Sequence, residues 1–256
     1  MPVSAVSLRL IIPAYNEGRN IEALLDRLDA ALKPLGRPWR AFIVDDGSRD
    51  DTAAALARLA ARLPVTPLSH GRNRGIAAVF LTGMRAALEG AADDDAVAII
   101  EGDGTSDPAL IPRMLEALAP PCDVVIASRY VAGGAYRRFP LHRIVYSVAA
   151  NALLRWICAV PGVTDYSNFY RLYRAGPLKA ALAADGDGFT SVGGFACNAE
   201  ILLRLVPWIG VVREVPFIYD YGLKKGPSGM RIAANLGSYA KLFAVNRLVA
   251  RRTRPR

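Results

Sequence analysis

Two acids separated by a glycine, Glu101-Gly102-Asp103, follow the apolar run Val97-Ala98-Ile99-Ile100. Carboxylates at i and i+2 beyond a strand can share one hard cation, and a glycine between them lets a ligand approach the backbone. Taken alone, the stretch reads as an ordinary polar turn. Two other apolar runs end in a comparable way. Leu8-Arg9-Leu10-Ile11-Ile12 leads into Pro13-Ala14-Tyr15-Asn16-Glu17, and Ala41-Phe42-Ile43-Val44 leads into Asp45-Asp46-Gly47-Ser48. One carboxylate can hydrogen-bond a nucleobase edge or a ribose hydroxyl while another set holds Mg²⁺ or Mn²⁺ on a diphosphate. Neither G-x-G-x-x-G after the first run nor G-x-x-x-x-G-K-[ST] occurs, which counts against a dinucleotide dehydrogenase or a P-loop kinase.

The elements that must position these acids alternate. Short β-branched runs predict buried strands at Leu8–Ile12, Ala41–Val44, Val65–Ser69, Val97–Ile100 and Asp123–Ala127, with Pro13 ending the first because it cannot donate to a ladder. Between them, 3.6-residue periodicity predicts helices over Ile21–Leu32, capped by Asn16 or Asn20, over Thr52–Leu63, capped by Asp50 or Asp51, over Gly75–Leu88 and over Pro108–Ala119. This alternation predicts an α/β fold with an open, parallel sheet and helices on both faces. In such sheets ligands sit beyond the carboxyl ends of the strands. The second half changes character. A glycine-rich loop at Ala132–Ala135 and a basic segment precede a long helix, Leu141–Val160. Thr164–Tyr173 reads as site-lining, Phe195–Val206 as a helix carrying Glu200, and Val211–Tyr219 as a strand. Lys224–Gly229 is a basic loop before an amphipathic terminal helix, Met230–Leu248.

At 256 residues and 52% hydrophobic, the chain suits one large α/β domain. A formal charge of +9 points to an anionic partner such as a nucleotide or phospholipid surface. The basic residues are spread over loops and tail instead of alternating with aromatics on one face, so nucleic acid is not expected. Three cysteines without a CxxC pair or Cys/His cluster indicate neither zinc nor a disulfide framework and favour a cytoplasmic setting. No transmembrane helix is expected, because Asn151 and Arg155 interrupt the most apolar segment. The exposed face of Leu141–Val160 suits peripheral contact with a membrane.

The motifs then acquire a joint meaning. Ile11–Glu17, Val44–Ser48, Asn73-Arg74-Gly75, Glu101-Gly102-Asp103 and Ser128-Arg129-Tyr130 occur in the order and spacing of inverting family 2 glycosyltransferases. Arg143-x-x-x-Ser147, Asp165, Asn168-Phe169-Tyr170-Arg171, Glu200 and Glu214-Val215-Pro216 extend the match over about residues 8–235, and the chain resembles the dolichol-phosphate (polyprenyl-phosphate) mannosyltransferase branch. The resemblance implies a GT-A type, mostly parallel sheet with added C-terminal amphipathic helices. It divides the chain into a nucleotide-sugar half (1–130), an acceptor half (131–235) and a terminal helix with a basic tail (236–256). It places Pro13, Ala14, Tyr15, Glu17, Val44, Asp45, Asp46 and Gly102 around the nucleotide sugar, GDP-mannose. Glu101, Asp103 and Thr105 would hold the metal, and Arg129, Arg143 and Ser147 the acceptor phosphate. Lys224, Lys225 and Arg231 are candidate diphosphate cations.

The catalytic set on this reading is Asp103, Arg129, Asp165 and Glu200. A lipid phosphate is ionised near neutral pH and needs no protein base, whereas a soluble hydroxyl acceptor, the alternative, would need Asp165 or Glu200 as one. The sequence departs from the family pattern at Glu101, for the usual aspartate, at Thr105, for glutamine, and at Leu223 and Gly229, where basic residues are common. The family's compact members reach the membrane through amphipathic helices and, in some cases, a partner subunit.

Overall fold

The computed structural model describes residues 6–194, 196–223, 237–238 and 240–246. Seven strands form one sheet: β1 (Leu8–Ala14), β2 (Trp39–Asp45), β3 (Val65–Ser69), β4 (Ala96–Ile99), β5 (Cys122–Ser128), β7 (Arg171–Arg174) and β8 (Val211–Pro216), in the order β3-β2-β1-β4-β7-β5-β8. Two further strands, β6 (Ala135–Arg137) and β9 (Ile218–Asp220), pair in parallel as a separate ribbon. Side chains alternate across the sheet, as a two-residue period requires. Leu10 and Ile12 face α1 (Ile21–Leu32), α2 (Thr52–Ala60) and α4 (Ile111–Ala117). Ile11 faces α3 (Ile76–Leu88), the end of α5 (Leu141–Cys158), α6 (Ala175–Asp185) and α7 (Ala196–Leu205). Helices therefore cover both faces, as expected.

The departures have physical causes. β1 continues through Pro13 to Ala14, paired with Val44 and Asp45. The Ile100 amide donates to the Ile11 carbonyl at 3.1 Å, so alternation turns Pro13 toward the same neighbour, where β4 has already ended. A missing N–H costs nothing there. Asn20 occupies the N-cap of α1 but donates its amide to Glu17 Oε2 at 2.6 Å instead of capping. Ahead of α2, Asp50 rather than Asp51 accepts from the Thr52 amide. The expected helix over Pro108–Ala119 is a 3₁₀ turn, Pro108–Leu110, followed by α4. The expected single strand Val211–Tyr219 is two strands in two sheets.

The largest correction is β7, which runs antiparallel between β4 and β5. Its register pairs Arg171 with both Ile99 and Ile126, so the chain entering β7 arrives at the carboxyl edge of the parallel strands. Residues 164–170 thereby face the acid-bearing loops. Residues 237–238 and 240–246 are helical, and Leu242 packs into the α3–α7 side of the core.

Candidate active site

The acid-bearing side of the site is built from three adjacent strand ends. Ala14 pairs with Asp45, and the Asp46 amide donates to the Ala14 carbonyl at 2.9 Å, fixing the two loops side by side. Asp46 is buried and saturated. Its Oδ1 accepts from the Arg74 amide at 2.8 Å and meets His70 Nδ1 at 2.7 Å, and its Oδ2 accepts from the Gly75 amide at 2.8 Å. Asp46 thus shapes the basic loop 70–75, while Asp45 closes its own turn on the Ser48 amide. Asn16 takes a left-handed backbone, φ 58°, and ties Tyr15–Glu17 to the neighbouring loop through Ser48 and Arg49. Tyr15 stands exposed at this edge.

Glu101, Asp103 and Thr105 lie beyond β4. The Thr105 hydroxyl donates to Asp103 Oδ1 at 2.6 Å and lies 3.3 Å from Glu101 Oε2, so it bridges the two acids. Asp103 and Thr105 are buried, and Glu101 is half-buried. A Cβ on Gly102 would come within 2.5 Å of the Pro13 carbonyl oxygen, which is why only glycine lets β1 and this turn approach. The donor set is entirely oxygen. That suits Mg²⁺ or Mn²⁺, which take one or two carboxylates and complete their shell with phosphate and water. Among the described residues no group of three or more His, Cys, Asp or Glu side chains converges on a metal position.

The arginine-bearing side begins where β5 ends. Arg129 forms a two-pronged ion pair with fully buried Asp165, Nε to Oδ2 at 2.8 Å and Nη2 to Oδ1 at 2.7 Å, and also donates to Ser167 Oγ at 2.6 Å. Burial alone would push the Asp165 carboxyl up, but the Arg129 guanidinium and its hydrogen bonds hold it below the usual 3.8. Asp165 is therefore a weakly basic carboxylate whose oxygens are engaged by Arg129. Its loop is held in turn by Glu214, which accepts from the Thr164 and Asp165 amides at 2.7 and 2.8 Å.

Glu200 is fully buried on α7 and accepts from Ser191, Val192 and Arg204, with contacts of 2.5–3.0 Å. These partners make it a tie between helix and loop, against the expectation of a base. Arg143 and Ser147 share one face of α5: Arg143 donates to the Tyr221 hydroxyl at 3.1 Å, and Ser147 Oγ lies 2.8 Å from that of Tyr136. Lys224, Lys225 and Arg231 lie outside the described residues.

Sequence reasoning missed the aromatic residues that join these parts. Tyr130, Tyr136 and Tyr219 surround the Arg129 guanidinium at 5.5, 5.1 and 6.0 Å from their ring centroids. Phe139 touches the rings of Tyr136, Tyr219 and Tyr221 at 5.1, 5.3 and 5.0 Å. The β6–β9 ribbon carries this wall, clamped by Arg138 on Asp220 at 2.8 and 2.6 Å. Tyr136 and Phe139 flanking two arginines, and aromatics at every second position in Phe217, Tyr219 and Tyr221, were the available signal.

Comparison with known proteins agrees with this geometry. Residues 10–182 match the model of glycosyl transferase family 2. The chain is 29% identical over 84% of its length to dolichol-phosphate mannosyltransferase of Pyrococcus furiosus, and spans 56% of that protein. It is 32% identical over 70% of its length to polyprenol monophosphomannose synthase of Mycolicibacterium smegmatis, spanning 67% of it. It is 33% identical to undecaprenyl-phosphate mannosyltransferase of Micrococcus luteus, over 70% of this chain and 72% of that one. Other relatives, such as one from Pectobacterium carotovorum, are transferases of 4-deoxy-4-formamido-L-arabinose to undecaprenyl phosphate. Glucosyl-3-phosphoglycerate synthase of Mycobacterium tuberculosis, solved with Mn²⁺ and UDP, shares the fold with a TM-score of 0.61 at 17% identity, over 99% of this chain and 82% of that one. The chain belongs to glycosyl transferase family 2 and has the GT-A-like fold of a glycosyltransferase.

Proposed function

We propose that this chain transfers mannose from GDP-mannose to a polyprenyl phosphate, with inversion at the anomeric carbon. The observation that carries the acceptor assignment is the state of the two candidate bases. Arg129 and the Ser167 and Asn168 amides occupy both Asp165 oxygens and weaken it as a base, and Glu200 is saturated by five hydrogen bonds. Neither is available to deprotonate a hydroxyl, whereas a phosphate monoester oxygen arrives already ionised and needs only alignment and charge neutralisation. Relatives named for dolichol, polyprenol and undecaprenyl phosphate support the same acceptor class.

In this reading the loops after β1 and β2 cradle the nucleoside, and Glu101 and Asp103 hold the divalent cation. Bound there, Mg²⁺ or Mn²⁺ would neutralise charge on the leaving diphosphate. Arg129, fixed on two edges by Asp165 and Ser167, has no hydrogen bond at Nη1 among the described residues, and that edge receives the acceptor phosphate. Arg143 and Ser147 grip it from α5. The first half of α5 leaves Leu141 75% exposed, with Val145 and Tyr146 also exposed, and near its end Trp156 is 73% exposed and stacks on Phe243. This exposed apolar face is the part of the chain that would rest on a lipid surface; among the described residues no helix is long and apolar enough to cross a membrane.

A thermal-shift comparison tests the donor assignment. GDP-mannose with Mn²⁺ raises the melting temperature, by the linkage of binding to stability, more than UDP-glucose does. A shift seen with UDP-sugars and not with GDP-mannose overturns it.

A further inference from the structure

Tyr136 touches two of the three residues assigned above to the acceptor phosphate, Ser147 and Arg129. Its hydroxyl lies 2.8 Å from Ser147 Oγ and 2.8 Å from the Tyr130 hydroxyl, and its ring lies 5.1 Å from the Arg129 guanidinium. Tyr130 stands edge-on to it at 6.2 Å, and Phe139 supports its ring at 5.1 Å. Strand β6 fixes its backbone by pairing Tyr136 with Tyr219. We infer that Tyr136 is a positioning residue for acceptor phosphate: it orients the Ser147 hydroxyl as a donor and holds the Arg129 plane in place. The inference rests on the phosphate-acceptor reading and deepens it.

The hydroxyl accounting gives the reason. A serine O–H has one proton, and if Ser147 spends it on Tyr136 it can only accept, which repels an anion. Running the chain from Tyr130 to Tyr136 to Ser147 uses each proton on the next oxygen and leaves the Ser147 proton for the phosphate. An anion at that end polarises the whole chain in this direction. Burial pushes the Tyr130 phenol above its usual range, so the first member stays a donor at neutral pH. The tyrosine ring meanwhile covers the guanidinium face and leaves its edges for in-plane hydrogen bonds. No bond is made or broken by Tyr136.

A double-mutant cycle on the full chain, with geranyl phosphate in detergent as acceptor, tests this. Tyr136→Phe keeps the ring and removes the hydroxyl. It raises the KM for geranyl phosphate about tenfold, the size of one hydrogen bond to a charged group, and leaves the KM for the nucleotide sugar unchanged. Ser147→Ala does the same, and the double variant is no worse than the poorer single, because both remove one chain. Should Tyr136→Phe melt early, Tyr130→Phe replaces it in the cycle with the same expected pattern.

Additive effects, or an equal loss in the KM for both substrates, overturn the inference. So does a Tyr136→Phe protein that matches wild type on geranyl phosphate. A wild-type protein that transfers no sugar to geranyl phosphate instead overturns the reading beneath it, and the inference falls with it.

Discussion

The two sides of the site are built by different means. On the donor side, acids sit directly beyond parallel strands β1, β2 and β4, each within five residues of a buried apolar run; Asp45 and Asp103 accept from amides two or three residues on, and Asp46 from the Arg74 and Gly75 amides of the loop after β3. On the acceptor side, Arg129 meets Asp165 thirty-six residues away, and Tyr136 meets a ribbon strand that closes over eighty residues later. The donor side is a property of strand ends. The acceptor side is a property of topology, because only an antiparallel β7 returns Asp165 to the carboxyl edge. Chemistry follows the same division: the oxygen ligands for a cation are local, and the cationic grip for an anion is assembled at long range.

The strongest test of the donor side is Asp103→Asn. It removes charge with little change in volume and keeps an acceptor oxygen for Thr105. Transfer falls by at least about a hundredfold while the melting temperature holds, if Asp103 ligates the cation. Normal turnover in that variant would place the cation elsewhere and break the contrast.

On the acceptor side the expected cost is stability first. Asp165→Asn leaves the buried Arg129 cation without its partner and destabilises the fold by about 3–5 kcal/mol in denaturant unfolding. Its pH dependence has a definite sign. Arg129 holds the folded-state carboxyl below 3.8, so the contribution is complete at neutral pH and is lost as pH falls through and below 3.8 toward the lowered value. The stability gap between wild type and Asp165→Asn is therefore flat above about pH 5 and narrows under acid. A gap that instead widens on acidification contradicts the ion pair as its source.

Glu200→Gln sharpens the comparison from a third place. The variant weakens the tie from α7 to Ser191 and Val192 and costs about 1–3 kcal/mol, with turnover per folded molecule preserved. Loss of turnover without loss of stability would restore Glu200 as a base. The smallest expected effect on stability, within about 0.5 kcal/mol, comes from replacing exposed Leu141, Val145 and Trp156 together by serine. That variant is expected to sediment less with anionic vesicles; unchanged sedimentation would remove α5 as the lipid contact.

How much of this was legible in the sequence follows from the same division. The first five strands and the helices between them were readable because each is a local apolar pattern with its own punctuation. The Glu101–Asp103 pair stood out because its two acids lie along one loop, whereas Thr105 was named only through the family resemblance. By contrast, β6 is only three residues long, Ala-Tyr-Arg, and β7 is a four-residue run inside a segment rich in Tyr and Arg, so neither has a strand signature of its own. Tyr136 and Tyr219 gain meaning only once the ribbon aligns them. Glu200 shows the converse: family order singled it out, but its partners Ser191 and Val192 come from the preceding loop, and only three-dimensional structure reveals that they consume its oxygens.

The central claim is most directly tested by incubating purified protein with radiolabelled GDP-mannose, Mn²⁺ and a polyprenyl phosphate, then extracting into organic solvent. The account predicts label in the organic phase as an acid-labile mannosyl phosphate, lost on chelation of the metal and in Asp103→Asn. Label confined to a water-soluble product, or transfer that persists after chelation, would contradict it.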